Sequence, residues 1–227
     1  MAVMSGFFTN VHAVLFDLDG TLIDTNIDFP LMQKEMHALA NSCGIADSRI
    51  KGLDILAIVD YIVSSLKADS QEERARLVRK NALNKLEEIE VAHSGNARLV
   101  KGTPELLQRL REACIKIGIV TRNCSRAVER SIVRTGLSFD ILLTRDDVPY
   151  VKPHPDHILR ALAMLDIRPE EAVTVGDHTL DVRCGRAAGT KTVGFLRKRR
   201  PDDFFDAEQP DIVIRDLSEL LLHLSAS

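Results

Sequence analysis

Four short apolar runs constrain this chain more than any other feature: VHAVLF (Val11 to Phe16), IKIGIV (Ile115 to Val120), DILL (Asp140 to Leu143) and AVTV (Ala172 to Val175). Each is too short for a helix and is followed by polar residues or glycine, the pattern of a strand buried on both faces and stopped by a turn. Helical patterns lie between them: TPELLQRLREA from Thr103, SRAVERSIVRTGL from Ser125, HPDHILRALAML from His154 and LDVRCGRAAG from Leu180. Alternating strands and helices predict an α/β fold with a doubly wound, Rossmann-like parallel sheet. DIVI (Asp211 to Ile214) is expected as a last strand and LSELLLHL as a closing helix.

One stretch breaks the alternation. From about Ile27 to Asn96 only helical periodicity is found, in LMQKEMHALANSCG, LDILAIVDYIVSSLK and EERARLVRKNALNKLEEIE. The expected organisation is therefore a core built from residues 1–24 and 97–227, interrupted by an all-helical, lid-like domain at 25–96.

Composition narrows the partners. With 227 residues and 45% hydrophobic content the chain can bury a core, and a formal charge of -3 provides no general attraction to nucleic acid or an anionic membrane. A small soluble ligand held by local charges fits better. The run RKRRPDDFF (Arg197 to Phe205) reads as a solvated loop, because four cations are followed directly by Pro201, Asp202 and Asp203. Cys43, Cys114, Cys124 and Cys184 form no C-x-x-C pair and suit reduced thiols. The N-terminal MAVMSGFFTNVH lacks a basic start, and no segment approaches about 18 uninterrupted apolar residues. A cytoplasmic location is expected, with no membrane span.

In a doubly wound sheet, ligands sit beyond the carboxyl ends of the strands, where strand order reverses. The residues that follow the strands are Asp17, Asp19, Gly20 and Thr21; Thr121, Arg122 and Asn123; and Gly176, Asp177 and Asp181, with Lys152 in the loop opening the helix at Pro155. Four carboxylates at one edge repel unless a cation neutralises them, and a hard divalent ion with oxygen ligands is the usual solution. Magnesium suits so sparse a set. Asp177 and Asp181 share one face of a helical turn, so that one can bind metal while the other supports it. Lys152, the Thr121 hydroxyl, backbone N–H groups near Arg122 and Asn123, and the close approach allowed by Gly20 fit a phosphate. Asp17 is then a candidate nucleophile and Asp19 a candidate acid and base.

These residues make the chain resemble the haloacid dehalogenase superfamily over nearly its whole length. Its four motifs stand in order: DLDGT at Asp17 to Thr21, a strand ending at Thr121, KP at Lys152 and Pro153, and GDHTLD from Gly176 to Asp181. The resemblance implies Asp17 as nucleophile, Asp19 as general acid and base, Thr121 and Lys152 as phosphate holders, and Asp17, Asp19 and Asp177 as ligands of Mg2+. Asp181 becomes a supporting or alternative ligand. The helical insert resembles the small cap of phosphoglycolate phosphatases, in which Arg49 and Lys51 are candidates for a substrate anion, although solvated charge is the ordinary reading. His178 stands where relatives often carry serine.

The expected function is magnesium-dependent hydrolysis of a small phosphomonoester, phosphoglycolate or a sugar phosphate among the candidates. A phosphomutase like β-phosphoglucomutase and an inactive binding protein on the same fold are alternatives. Carbon–halogen hydrolysis is disfavoured, because those relatives lack the second aspartate found here at Asp19. The sequence is silent on oligomeric state.

Overall fold

The computed structural model describes residues 7–224, so the first six residues of the N-terminal segment read above lie outside the described residues. The chain divides into two compact units: Met1–Thr25 with Asn96–Ser227, and Asn26–Gly95.

In the first unit the strands are β1 (Ala13–Phe16), β2 (Ile23–Asp24), β3 (Arg98–Leu99), β4 (Lys116–Val120), β5 (Ile141–Leu143), β6 (Ala172–Gly176), β7 (Lys191–Phe195) and β8 (Ile212–Ile214). Six of them form one sheet in the order β5-β4-β1-β6-β7-β8, every neighbouring pair parallel. This is the doubly wound α/β topology, and its strand order reverses between β1 and β6.

The unbroken apolar character of β1 follows from its position. Val14 and Phe16 join Leu106, Ile117, Ile119 and Val175 in the cluster on one face, while Ala13 and Leu15 join Leu143, Ile158 and Leu162 on the other. Alternate side chains point to opposite faces, and both faces are covered. Each large side chain so buried contributes about 1.5–3 kcal/mol.

β7 was not expected as a strand, and the reason is chemical. Lys191, Thr192 and Gly194 interrupt the apolar pattern of KTVGF. Thr192 is nonetheless satisfied inside the sheet, where both its N–H and its hydroxyl donate to Asp211 Oδ2, at 2.6 and 2.8 Å. The two-residue strands β2 and β3 also escaped the sequence reading; they pair antiparallel, apart from the main sheet.

The second unit is helical: α1 (Phe29–Ser42), α2 (Asp47–Ile50), α3 (Ile55–Ala68) and α4 (Glu72–Ser94). Asp28 and Asp54 cap α1 and α3 by accepting backbone N–H groups of the first turn. Met32, Met36, Ile58, Ile62, Leu66, Ala82 and Leu86 form its core. Arg49 and Lys51 are exposed on α2 and just beyond it.

The helices of the first unit are α5 (Thr103–Glu112), α6 (Ser125–Thr135), α7 (Asp156–Leu165), α8 (Thr179–Ala188) and α9 (Leu220–His223). The expected closing helix is thus a 3-10 turn at Leu217–Glu219 followed by the single turn of α9. No helix among the described residues is long and apolar enough to cross a membrane.

Candidate active site

β1 ends at Phe16, and the N–H of Asp17 still donates to Val175 O of the neighbouring β6, at 2.9 Å. Asp17 therefore leaves the sheet at the reversal point, with its side chain 13% exposed. Asp177 follows β6 at the same edge. Asp17, Asp177 and Asp181 each offer a carboxylate oxygen within 4.8 Å of the others.

Two glycines allow this crowding. Gly20 has φ +92°, and a Cβ there would lie 2.4 Å from Asp177 Oδ2; a Cβ at Gly176 would lie 2.2 Å from the Asp181 carboxyl. Neither site tolerates a side chain without displacing a carboxylate. Thr21, buried in the same turn, accepts the N–H of Asp177 on its hydroxyl at 3.1 Å.

Lys152 is the cation at the centre. Its Nζ donates to Asp17 Oδ1 and to Asp181 Oδ1, both at 2.6 Å, and its side chain is 2% exposed. Burial works against its charge, yet the pairing with Asp17 and Asp181 prevails and holds its pKa above the ordinary lysine range. Below it, His157 Nδ1 accepts the Lys152 N–H at 3.3 Å. Burial, reinforced by the Lys152 charge, pushes the His157 pKa down to about 3, so the imidazole stays neutral.

Three carboxylates share one directly bonded ammonium, with the charges of Arg197 and Arg200 also acting on Asp177, and the crowding registers in the titration of the site. Burial is the largest force raising the pKa of Asp17, with Lys152 pulling it back and Asp181 and Asp177 adding to the rise. Asp177 is pushed up to about 7, by burial first and then by Asp181. Hard oxygen donors, close spacing and crowded negative charge together fit a divalent cation such as magnesium.

Asp19 is held differently. Its Oδ1 accepts the Thr25 hydroxyl at 2.7 Å and its Oδ2 accepts Asn123 Nδ2 at 2.9 Å. Its carboxylate does not join the acidic cluster expected from the sequence. Burial raises its pKa, against hydrogen bonds from Asn123 and Thr25 that lower it. Both of its oxygens are thus oriented by neutral donors, an arrangement that fixes a carboxyl for acid and base chemistry.

The remaining expected residues fall near this edge with specific partners. Thr121 is buried after β4, its N–H donating to Leu143 O at 2.9 Å and its hydroxyl accepting the Asn123 N–H at 3.2 Å. Asn123, expected at the phosphate, directs its amide to Asp19 instead. Arg122 is half-buried, and its carbonyl accepts Arg145 Nη1 at 3.2 Å. Asp181 serves twice, accepting Lys152 on one oxygen and the His178 N–H on the other, the latter at 3.1 Å, as the N-terminal capping box of α8. His178 caps the same helix through Nδ1, which accepts the Leu180 N–H at 3.2 Å.

Two contributors were missed from sequence. Thr25 was read as the start of the helical insert. Arg197 was read as solvated, yet its side chain is 18% exposed and hydrogen-bonded to Gly20 O and Asp24, whereas Lys198 and Arg199 are exposed as expected. Nothing local distinguishes Arg197 from its cationic neighbours.

The raised pKa of Asp177 has a measurable consequence. Between about pH 4 and 7 the unfolded chain releases a proton that folded Asp177 retains, so metal-free stability falls as pH rises through that window. Asp177→Asn is expected to make the metal-free protein more stable at pH 8, by up to about 4 kcal/mol, while weakening magnesium binding. Urea unfolding at pH 5 and pH 8 without metal checks it; equal stability changes at the two pH values would count against a strained Asp177.

Comparison with known proteins bears on the same residues. Residues 14–195, which contain all four sequence motifs, match the family described as haloacid dehalogenase-like hydrolase. The pyrophosphatase PpaX of Bacillus mycoides (strain KBAB4) is 34% identical over 224 residues, covering 95% of this chain and 97% of its own length. Among solved structures, a HAD phosphatase from Thermococcus onnurineus superposes with a TM-score of 0.60 at 27% identity, covering 92% of this chain and 96% of that one. A β-phosphoglucomutase from Clostridium difficile superposes with a TM-score of 0.65 at 20% identity, covering 92% and 93%, which is a likeness of fold alone. With its doubly wound core, its aspartates at the reversal point and this full-length similarity, the chain is an enzyme of the haloacid dehalogenase-like hydrolase family.

Proposed function

We propose that this hydrolase is a magnesium-dependent phosphatase that forms an aspartyl-phosphate on Asp17. The observation that carries the reading is the partly exposed Asp17 carboxylate held 2.6 Å from a buried Lys152, beside two further carboxylates. A carboxylate so fixed is a nucleophile, and the ammonium beside it offsets phosphate charge as the new bond forms.

In the first step an Asp17 oxygen bonds to phosphorus, the bond to the leaving oxygen breaks, and Asp19 protonates that oxygen. In the second, Asp19 takes a proton from water, which attacks phosphorus and frees Asp17 and inorganic phosphate. Thr121, through its hydroxyl, and Lys152, through its ammonium, would hold phosphate oxygens, with close approach allowed at Gly20. Magnesium held by Asp17 and Asp177, with Asp181 in support, would neutralise charge on the transferring group. The helical unit, with Arg49 and Lys51, would act as a cap selecting the substrate.

Pyrophosphate stands first among substrates, because the curated Bacillus relatives matching nearly the whole chain are pyrophosphatases. Small phosphomonoesters, phosphoglycolate and sugar phosphates among them, form the comparison set. The mutase reading gains nothing beyond fold from its structural likeness. Free thiols suit a reducing compartment, so we place the enzyme in the cytoplasm.

A phosphate-release screen over pyrophosphate, phosphoglycolate, sugar phosphates and nucleotides tests this. Pyrophosphate is expected to give the highest kcat/KM, with EDTA removing activity and magnesium restoring it. No phosphate from any compound with magnesium present would refute the phosphatase reading; a phosphomonoester turned over faster would redirect only the substrate.

A further inference from the structure

After Asp17 the chain turns tightly. Leu18 O accepts the N–H groups of Thr21, Leu22 and Ile23 at 3.3, 3.0 and 3.0 Å, and the Gly20 N–H donates to Ile23 O at 2.7 Å. The turn runs into β2, which is two residues long, pairs with the two residues of β3 and bridges back to Asp19 through Ile23. So short a ribbon is not stable by itself. Its end nevertheless sets the position of Asp19, because Thr25, the residue after β2, donates its hydroxyl to that carboxylate at 2.7 Å.

The apolar residues Leu18, Leu22 and Ile23 are buried in the core, and Leu22 O accepts the Val100 N–H at 2.9 Å and the Thr103 hydroxyl at 3.1 Å. The polar side of the turn and the end of the ribbon are braced by Arg197, from the loop beyond β7. Its Nη1 donates to Gly20 O at 3.0 Å, and its Nη2 donates to both oxygens of Asp24 at 2.7 and 2.8 Å. The guanidinium also lies 5.5 Å from the centroid of the Phe195 ring, at the end of β7 in the main sheet. A planar fork can brace two points at once in fixed geometry, which a single ammonium cannot. One brace point is the residue after Asp19, and the other is the residue before Thr25.

We infer that Arg197 is a positioning residue for Asp19: it ties the Gly20 carbonyl and the Asp24 carboxylate to the sheet so that Thr25 and the turn present the Asp19 carboxyl to the leaving oxygen. The inference rests on the phosphatase reading for its kinetic consequence, but the bracing itself is independent of activity. The hydrogen bonds of Arg197 go to Gly20 O and Asp24, and its charge also bears on Asp177. With magnesium in excess, its loss is therefore expected to act on the rate of turnover through Asp19 rather than on substrate affinity.

The test uses the full chain and two variants, Arg197→Met and Asp24→Asn, the second breaking the fork from an exposed end. With pyrophosphate and magnesium, kcat is expected to fall about 10- to 100-fold in Arg197→Met, and less in Asp24→Asn, with KM within about threefold of the parent, since misplacement by about an ångström costs on that scale. In a Thr25→Val background, Arg197→Met is expected to add little, because both changes act through the same carboxyl. Backbone amide exchange at Gly20 and Ile23 is expected to accelerate about tenfold or more, with β1 and β4 still protected.

Multiplicative effects of Arg197→Met and Thr25→Val would overturn the proposal, as would a raised KM with unchanged kcat. Unchanged exchange in the turn would do so whatever the activity. A parent enzyme inactive on every phosphate compound would sink the phosphatase reading alone, while the exchange measurement still decides whether Arg197 holds this segment.

Discussion

Asp17→Asn is expected to lower phosphate release by at least about 10^4-fold and to leave the fold intact. An amide has the shape of the carboxylate but no anionic oxygen to bond to phosphorus, and loss of a nucleophile in a concerted site removes nearly all of its acceleration. The fold should survive because the site gains as well as loses. Lys152 keeps its second partner, Asp181, at 2.6 Å, and one of three crowded carboxylates disappears, with it the repulsion that Asp181 and Asp177 exert on Asp17. Thermal unfolding of the variant is therefore expected within a few degrees of the parent, or above it. Rapid acid quenching with labelled substrate should trap label on the parent and none on the variant. Full activity in Asp17→Asn would end the aspartyl-phosphate mechanism.

How legible these features were depended on whether the determining partners lie close in sequence. β1 could be read because its neighbours on both faces demand apolar residues, and Asp17 follows because a ligand edge must lie where such strands stop. β7 could not, because Thr192 belongs in the sheet only when Asp211 is there to receive its hydroxyl and N–H. The same holds for the site. Asp17, Asp19, Lys152 and Asp177 stand in the loops after strands, and Asp181 in the first turn of the following helix, places that periodicity locates. The division of labour among them is not local: that Asp19 turns to Thr25 and Asn123 while Asp181 turns to Lys152 depends on contacts across 104 and 29 positions of chain. Arg197 is the extreme case, its partners 177 and 173 positions away, in a run whose composition is that of a solvated loop.

Lys152→Met is expected to produce the largest loss of stability available at this site, about 3–5 kcal/mol at pH 8 without metal. Methionine keeps the length of the stem, so the cavity term is small and the change is electrostatic. Removing one member of a buried ion pair leaves its partners desolvated and uncompensated, and here two carboxylates lose their shared cation beside a third. Against a total of about 5–15 kcal/mol for a domain, that loss is a large fraction. Its pH dependence has a definite sign. Without Lys152 the carboxylates are neutralised only by taking up protons, so the deficit relative to the parent should shrink as pH falls and the folded state binds protons that the unfolded chain has released. Magnesium should restore part of the loss at pH 8 by supplying the missing positive charge. Replacing Asp17 and Asp181 by asparagine in the same variant should recover stability but no activity, since a site emptied of charge on both sides no longer pays for desolvation. Urea unfolding of these variants at pH 5.5 and 8, with and without magnesium, separates the effects. A loss below about 1 kcal/mol at pH 8, or one that grows as pH falls, would show that Lys152 is not what holds the acidic cluster together.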